Sequence, residues 1–134
     1  MLTEQETIYR LNAAIAMELQ VSIQYIYQHV YAKNNIFSMK VEKIAIAEMK
    51  HAESLARRIK ELGGRPATVP SPVNIGYYDS DMVSIDINDE HSAIYVYEGL
   101  LEGGIDEKTA IVVRRILQEE KSHLKFFNDI RRKV

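Results

Sequence analysis

The chain has 134 residues, of which 46% are hydrophobic, and this is enough for the core of one domain spanning residues 1–134. Its net charge of −2 comes from mixed charges without a basic stripe or an acidic tail, so neither nucleic acid nor an anionic membrane is an expected partner. Without cysteine, any metal must be held by Glu, Asp, His or Tyr. No apolar run approaches the roughly 20 residues of a membrane span, and the start lacks a secretion signal, so a cytoplasmic protein is expected.

The first half of the chain predicts two long helices. Thr3 and Glu6 form a capping-box pattern, and helical spacing then continues to about Lys33, which predicts a first helix of roughly thirty residues. A pair of asparagines interrupts the pattern. Ser38 is predicted to cap a second helix that continues to Leu62, where a Gly-Gly pair ends it. The short turn between the two helices makes them an antiparallel hairpin.

The second half repeats this hairpin after a long connection. Three prolines and a glycine between Arg65 and Asp86 exclude a continuous helix, and a connection of about twenty residues is long enough to cross a bundle from end to end. Asp86 or Asn88 is predicted to cap a third helix, and Asp106 a fourth that continues almost to Lys133. The predicted fold is therefore all-α, an antiparallel four-helix bundle of two hairpins joined by one long crossover.

Two Glu-x-x-His motifs interrupt the apolar stripes of the second and fourth helices. Glu48 with His51, and Glu120 with His123, occupy positions at which the helical spacing of apolar residues predicts core side chains. An unpaired buried carboxylate costs several kcal/mol, so these positions require a partner that neutralises them. Pairing of the Glu and His side chains with each other is the simpler alternative.

Two further glutamates complete the pattern. Glu18 and Glu90 lie on the core stripes of the first and third helices, and each precedes the glutamate of the next Glu-x-x-His motif by 30 residues. Counting residues from the two predicted turns places all the acidic and imidazole side chains at one level of the bundle. Four carboxylates match two divalent cations, and carboxylate with imidazole suits Fe(II) or Mn(II). The predicted metal-binding residues are Glu18, Glu48, His51, Glu90, Glu120 and His123.

This order of ligands resembles the di-iron signature of the ferritin-like superfamily, and the sequence around Glu18, Glu48 and Glu120 is most similar to that of bacterioferritins. The resemblance implies a ferroxidase that binds two Fe(II) ions and oxidises them with dioxygen or peroxide, for iron storage or detoxification. Known bundles of this design imply that Glu48 and Glu120 bridge the two ions. Manganese or zinc would accept the same ligands.

The resemblance also implies roles for two other residues. Tyr25 lies two turns after Glu18 and matches a tyrosine beside the di-iron centre, where it hydrogen-bonds a ligand or donates an electron; a core tyrosine is the alternative. Met49 matches the methionine that binds haem between two bacterioferritin subunits. It is turned about 100° from Glu48, onto an outer face, where simple packing is the alternative.

Association into at least a homodimer is expected because the first helix carries apolar residues outside its predicted core stripe. These residues are Val21, Ile23, Ile26, Tyr27 and Val30. The chain ends at Val134, after the fourth helix, whereas bacterioferritin cages use a short fifth helix. A shell of 24 subunits is therefore not predicted.

Two other functions stay open: a rubrerythrin-like di-iron peroxidase, and a non-enzymatic metal-binding or assembly module. The remaining polar and aromatic residues have ordinary interpretations. His29 and His91 are expected to be structural, and the Arg57-Arg58 pair to be solvated. Tyr77, Tyr78, Tyr95 and Tyr97 are expected to pack in the crossover and the core.

Overall fold

The computed structural model describes residues 1–134 and contains four long helices and no strand. The helices are α1 (Glu4–Tyr31), α2 (Asn35–Glu61), α3 (Asp79–Glu102) and α4 (Glu107–Ile130), followed by a 3₁₀ turn at Arg131–Lys133. The predicted all-α class is confirmed. None of the four helices has the length and apolar character needed to span a membrane.

Side-chain caps begin three of the helices. Thr3 and Glu6 form the predicted capping box of α1, with the Glu6 amide donating to Thr3 Oγ1 at 3.1 Å. Asp106 caps α4 as predicted. The cap of α2 is Asn34, whose Oδ1 accepts from the Phe37 amide at 2.9 Å. The predicted cap Ser38 is wrong: this residue lies inside α2.

Helix α3 begins at Asp79, earlier than the predicted caps Asp86 and Asn88. The backbone N–H of Tyr78 donates to the Asp81 carboxylate at 3.2 Å, which satisfies an amide at the new start. Met82 then packs fully buried in the core and contributes apolar contact to the first turns. Asp86 is a buried mid-helix residue whose Oδ1 accepts from Gln28 Nε2 at 2.6 Å.

The crossover runs lengthwise along α1. The Ala67 amide donates to the Asn12 side chain, the Ser71 amide to the Ala16 carbonyl, and the Asn74 amide to the Gln24 side chain. These contacts advance toward the end of α1, where the Asp79 carboxylate accepts from the backbone amides of Lys33 and Asn34. The long crossover is therefore confirmed, and it makes α3 parallel to α2.

The apolar core is divided into two clusters along the bundle. One contains Leu11, Ile15, Leu55, Leu100 and Val113, among others. The other contains side chains such as Val21, Phe37, Val41, Val83 and Phe127. In every helix, the residues between these clusters include the predicted acidic positions. Val21 is 3% exposed, so its predicted place on a partner surface is wrong.

Arg58 joins the end of α2 to the start of α4, and its predicted solvation is wrong. Its guanidinium is buried, and it donates to Thr109 Oγ1 and to Asp106 Oδ2, both at 2.9 Å. The neighbouring Arg57 is exposed and pairs only with Glu53 on its own helix. The buried pair therefore links the two hairpins, whereas the exposed pair does not.

Replacing Arg58 by Met should lower the free energy of unfolding by about 2 kcal/mol, because the alkyl stem is retained but the hydrogen bonds between the hairpins are lost. Urea denaturation followed by circular dichroism measures this change. The matched control Arg57→Met should change the free energy by less than about 0.5 kcal/mol. Equal effects of the two substitutions would contradict this role of Arg58.

Candidate metal centre

Six acidic and imidazole side chains from all four helices meet between the two apolar clusters. Helix α1 contributes Glu18 and α3 contributes Glu90, while α2 and α4 each contribute both residues of a Glu-x-x-His motif. All six residues are at most 8% exposed. The structure thus brings together every residue of the predicted set: Glu18, Glu48, His51, Glu90, Glu120 and His123.

The first half of the centre surrounds His51. Its Nδ1 lies 3.0 Å from Glu48 Oε1, 3.3 Å from Glu18 Oε2 and 3.8 Å from Glu120 Oε1. One potential ligand atom from each of these four residues lies within 4.8 Å of the others. A single metal ion could therefore be reached by all four.

The second half surrounds His123 in the same way. Its Nδ1 lies 3.0 Å from Glu120 Oε1, 3.5 Å from Glu48 Oε1 and 3.6 Å from Glu90 Oε2. The centroids of the two imidazole rings are 6.2 Å apart. Glu48 and Glu120 belong to both groups, whereas Glu18 and Glu90 each belong to one. Glu48 and Glu120 are therefore within reach of both groups of potential ligand atoms.

Many polar atoms of the centre have no hydrogen-bond partner. Both carboxylate oxygens of Glu48 and both ring nitrogens of His51 are buried and, although other atoms of the cluster lie close to them, none is aligned for a hydrogen bond; one oxygen each of Glu18, Glu90 and Glu120 is in the same position. Each such atom costs about 1–3 kcal/mol, so pairing of these Glu and His side chains with each other does not satisfy the centre. Oxygen and nitrogen donors that lack partners fit two divalent cations, with iron, manganese and zinc as chemically suitable ions.

Burial also changes the proton affinity of the centre. It raises the pKa of Glu18 to about 7, with the nearby Glu120 adding to the effect, and it raises the pKa of Glu48 and of Glu90. Burial lowers the pKa of His123, but the hydrogen bond to Glu120 and the nearby negative charge of Glu90 outweigh this and raise it to about 9. At neutral pH the cluster therefore retains protons that exposed carboxylates would have lost, and these protons reduce the repulsion between the carboxylates.

Two tyrosine hydroxyls donate hydrogen bonds to Glu18 and Glu90, the carboxylates that each belong to only one of the two four-residue groups. The Tyr25 hydroxyl donates to Glu90 Oε1 at 3.2 Å, and the Tyr97 hydroxyl donates to Glu18 Oε2 at 2.6 Å. The sequence prediction assigned Tyr97 to packing alone and missed its hydroxyl contact. The signal was present, because Tyr97 follows Glu90 by seven residues, as Tyr25 follows Glu18.

Glu119 is a second residue that the sequence prediction missed. Its Oε1 lies 3.3 Å from Nε2 of His51, on the side of the ring away from the other carboxylates. Both residues line a surface pocket of about 330 Å³ between α2 and α4. Glu119 comes directly before the candidate ligand Glu120 in the sequence. That position did not indicate that its side chain would contact His51 on another helix.

The remaining predicted residues lie away from the centre. Met49 is on α2 and is 54% exposed, so it lies on the bundle surface. His29 is held by the Ser38 carbonyl and by Glu42, which fits the expected structural role. Tyr95 is exposed, so its predicted place in the core is wrong.

The fold and the centre define a class: a ferritin-like four-helix bundle with a buried carboxylate and histidine cluster at mid-bundle. The sequence model of the family described as "Ferritin-like domain" matches residues 8–134. A bacterioferritin from Desulfovibrio desulfuricans is 38% identical over 129 residues, covering 90% of this chain and 71% of the relative. The chain therefore belongs to the ferritin-like family, as predicted, and is a homologue of bacterioferritin.

Solved structures agree with this assignment. The Desulfovibrio desulfuricans bacterioferritin, whose diiron site was described in different catalytic states, superposes with a TM-score of 0.86 at 35% identity, covering 96% of this chain and 79% of that one. A Rhodobacter capsulatus bacterioferritin, described with a metal-free dinuclear site and haem iron, gives 0.86 at 26% identity, with 98% and 86% covered. The predicted ferritin-like fold is confirmed.

The stability of the metal-free protein should fall as pH rises from about 4.5 to about 9. The raised pKa values mean that the folded state binds more protons than the unfolded state in this range, so each deprotonation favours unfolding. Urea denaturation at a series of pH values in the presence of a chelator measures the trend. Constant or rising stability would contradict it.

Proposed function

We propose that this protein binds two Fe(II) ions at the mid-bundle centre and oxidises them with dioxygen or peroxide, in iron storage or detoxification. The observation that carries the proposal is the pair of overlapping four-residue groups that share Glu48 and Glu120. The homology to bacterioferritin supports the reaction class. The two ions, when bound, supply the electrons that reduce the oxidant.

The proposed role of each residue follows from which of the two four-residue groups it belongs to. Glu48 and Glu120, common to both groups, would hold both ions; Glu48 is suited to this because neither of its oxygens has another partner. Glu18 with His51 would hold one ion, and Glu90 with His123 the other. Nδ1 is the nitrogen that faces the carboxylates in both imidazoles, so this atom must lose its proton before it can donate to a metal.

Tyr25 supports the centre from outside the six ligands. Its hydroxyl, buried and bonded to Glu90, can hold that carboxylate, or can release its proton to Glu90 when the ring donates an electron to the dioxygen or peroxide oxidant. The pocket lined by His51 and Glu119 provides a route from the surface between α2 and α4. Manganese and zinc fit the same donors, so the choice of iron rests on the homology.

Replacing Glu48 by Gln should slow Fe(II) oxidation by at least about 100-fold, because the amide loses the charge that both metal positions share. Helix content should stay the same, since the side chain keeps its shape. Stopped-flow absorbance after mixing with Fe(II) and dioxygen, or with peroxide under anaerobic conditions, measures the rate. Circular dichroism reports the helix content.

The control for this substitution is Glu98→Gln, an exposed glutamate on α3, which should oxidise iron as the unchanged protein does. Oxidation at the normal rate in Glu48→Gln would show that the assigned centre is wrong. Turnover with peroxide alone in the unchanged protein would instead favour the rubrerythrin-like peroxidase. The absence of any turnover would favour a metal-binding or assembly module.

We also propose that the protein forms at least a homodimer through the outer face of α1 and α2. Large apolar side chains remain exposed along both helices of this hairpin. A second copy of the chain would cover them in a symmetric contact. The side chains are Ile23, Ile26 and Val30 on α1, and Met39, Ile46 and Met49 on α2.

Met49 is the residue of this face that would bind haem. Its thioether is exposed and lies next in sequence to Glu48, so a ligand between two chains could reach it without disturbing the buried centre. The haem iron described for the Rhodobacter capsulatus bacterioferritin supports the idea. A haem held there would supply a second redox group outside the centre.

Replacing Ile26 by Lys should convert the assembly to a smaller species, because a charge would be buried at the contact. Size-exclusion chromatography with light scattering measures the mass. Ile111→Lys is the matched control: Ile111 lies on α4 and is 50% exposed, against 51% for Ile26. An unchanged mass for Ile26→Lys, or an equal loss in both variants, would contradict the proposed contact face.

A further inference from the structure

We propose that Tyr97 is a positioning residue for the metal position at Glu18 and His51, acting through Glu18; the inference rests on the proposed function. The Tyr97 hydroxyl donates to Glu18 Oε2 at 2.6 Å, and both residues are fully buried. The same oxygen lies 3.3 Å from Nδ1 of His51. The tyrosine therefore fixes the carboxylate at the edge of the centre while the other oxygen, Oε1, stays without a hydrogen-bond partner.

A repeat within the chain supports this role. Tyr25 follows Glu18 by seven residues and donates to Glu90, whereas Tyr97 follows Glu90 by seven residues and donates to Glu18. Each hairpin thus supplies a tyrosine to the end carboxylate of the other. Neither Glu48 nor Glu120 accepts a hydrogen bond from these two tyrosine hydroxyls. The crossed bonds set the orientation of the two carboxylates that each belong to only one group.

The contact also lies in a larger polar seam between α1 and α3. Gln24 Nε2 donates to the Asp89 carboxylate at 2.7 Å, and Gln28 Nε2 donates to the Asp86 carboxylate at 2.6 Å. With the two tyrosine bonds, these contacts fix the register of the helices that carry the end carboxylates. The register of α1 and α3 therefore helps to hold the Glu18 and Glu90 carboxylates in the orientation that the tyrosine hydroxyls impose directly.

Packing alone does not account for the Tyr97 hydroxyl. The chain has eight tyrosines, but only Tyr25 and Tyr97 are buried. Phenylalanine would fill the same space in the apolar cluster without a hydroxyl that needs a partner. The partner that this hydroxyl has is a candidate metal ligand. Hydrogen bonds that orient a ligand commonly change metal affinity by about 10–100-fold when they are removed.

The test is a titration of the metal-free protein with Co(II), followed by its visible absorption and by calorimetry. The unchanged protein should bind two ions per chain. Tyr97→Phe should weaken one of the two binding events by about 10-fold or more and leave the other nearly unchanged. Tyr25→Phe, the second variant, should weaken the opposite position. Tyr95→Phe, an exposed tyrosine on the same helix, is the control and should bind as the unchanged protein does.

A double-substitution cycle separates positioning from a general effect on folding. Tyr97→Phe should cause no additional loss of Co(II) affinity when Glu18 is already Ala, because the hydroxyl acts through that carboxylate. Two Co(II) ions bound with normal affinity by Tyr97→Phe would overturn the inference and leave the proposed function intact. An equal loss in the Glu18→Ala background would also overturn it. Failure of the unchanged protein to bind two ions would overturn the proposed function itself.

Discussion

The structure depends on one electrostatic constraint: four carboxylates are buried at a single level of a helical bundle. In an apolar interior they repel one another and lose their hydration, and the two imidazoles supply at most two compensating charges. The atoms without partners are concentrated there, including both oxygens of Glu48. A pair of divalent cations removes repulsion and provides partners at once. Metal ions that bind there would displace the protons that the raised pKa values retain on these carboxylates.

The rest of the fold maintains this layer. The apolar core is divided above and below it, so each helix is anchored on both sides of its acidic residue. The crossover bound along α1 makes α2 and α3 parallel, which lets the two hairpins meet with their Glu-x-x-His motifs facing a common centre. Tyrosine hydroxyls and the buried Arg58 contacts then join one hairpin to the other. The contacts that stabilise the fold therefore lie away from the centre. At the centre, the burial of charged metal-binding side chains lowers the stability of the fold.

Much of this could be predicted from the sequence because the strongest signals are periodic. Polar residues at i and i+3 within an apolar stripe identify the two motifs, and the equal spacing of 30 residues locates Glu18 and Glu90. Contacts between distant segments carried no such signal. The early start of α3 depends on the packing of Met82, and the burial of Arg58 depends on Asp106 and Thr109 from another helix. The contact of the Tyr97 hydroxyl with Glu18 is the exception, because Tyr97 follows Glu90 by the same seven residues that separate Tyr25 from Glu18.

The most direct test of the account is anomalous X-ray diffraction at the iron absorption edge, from crystals equilibrated with Fe(II) under anaerobic conditions. Two iron peaks are expected in each chain, at mid-bundle, with Glu48 and Glu120 contacting both and one histidine at each end. An empty centre, or iron found only at surface carboxylates while the six side chains keep their metal-free arrangement, would contradict it.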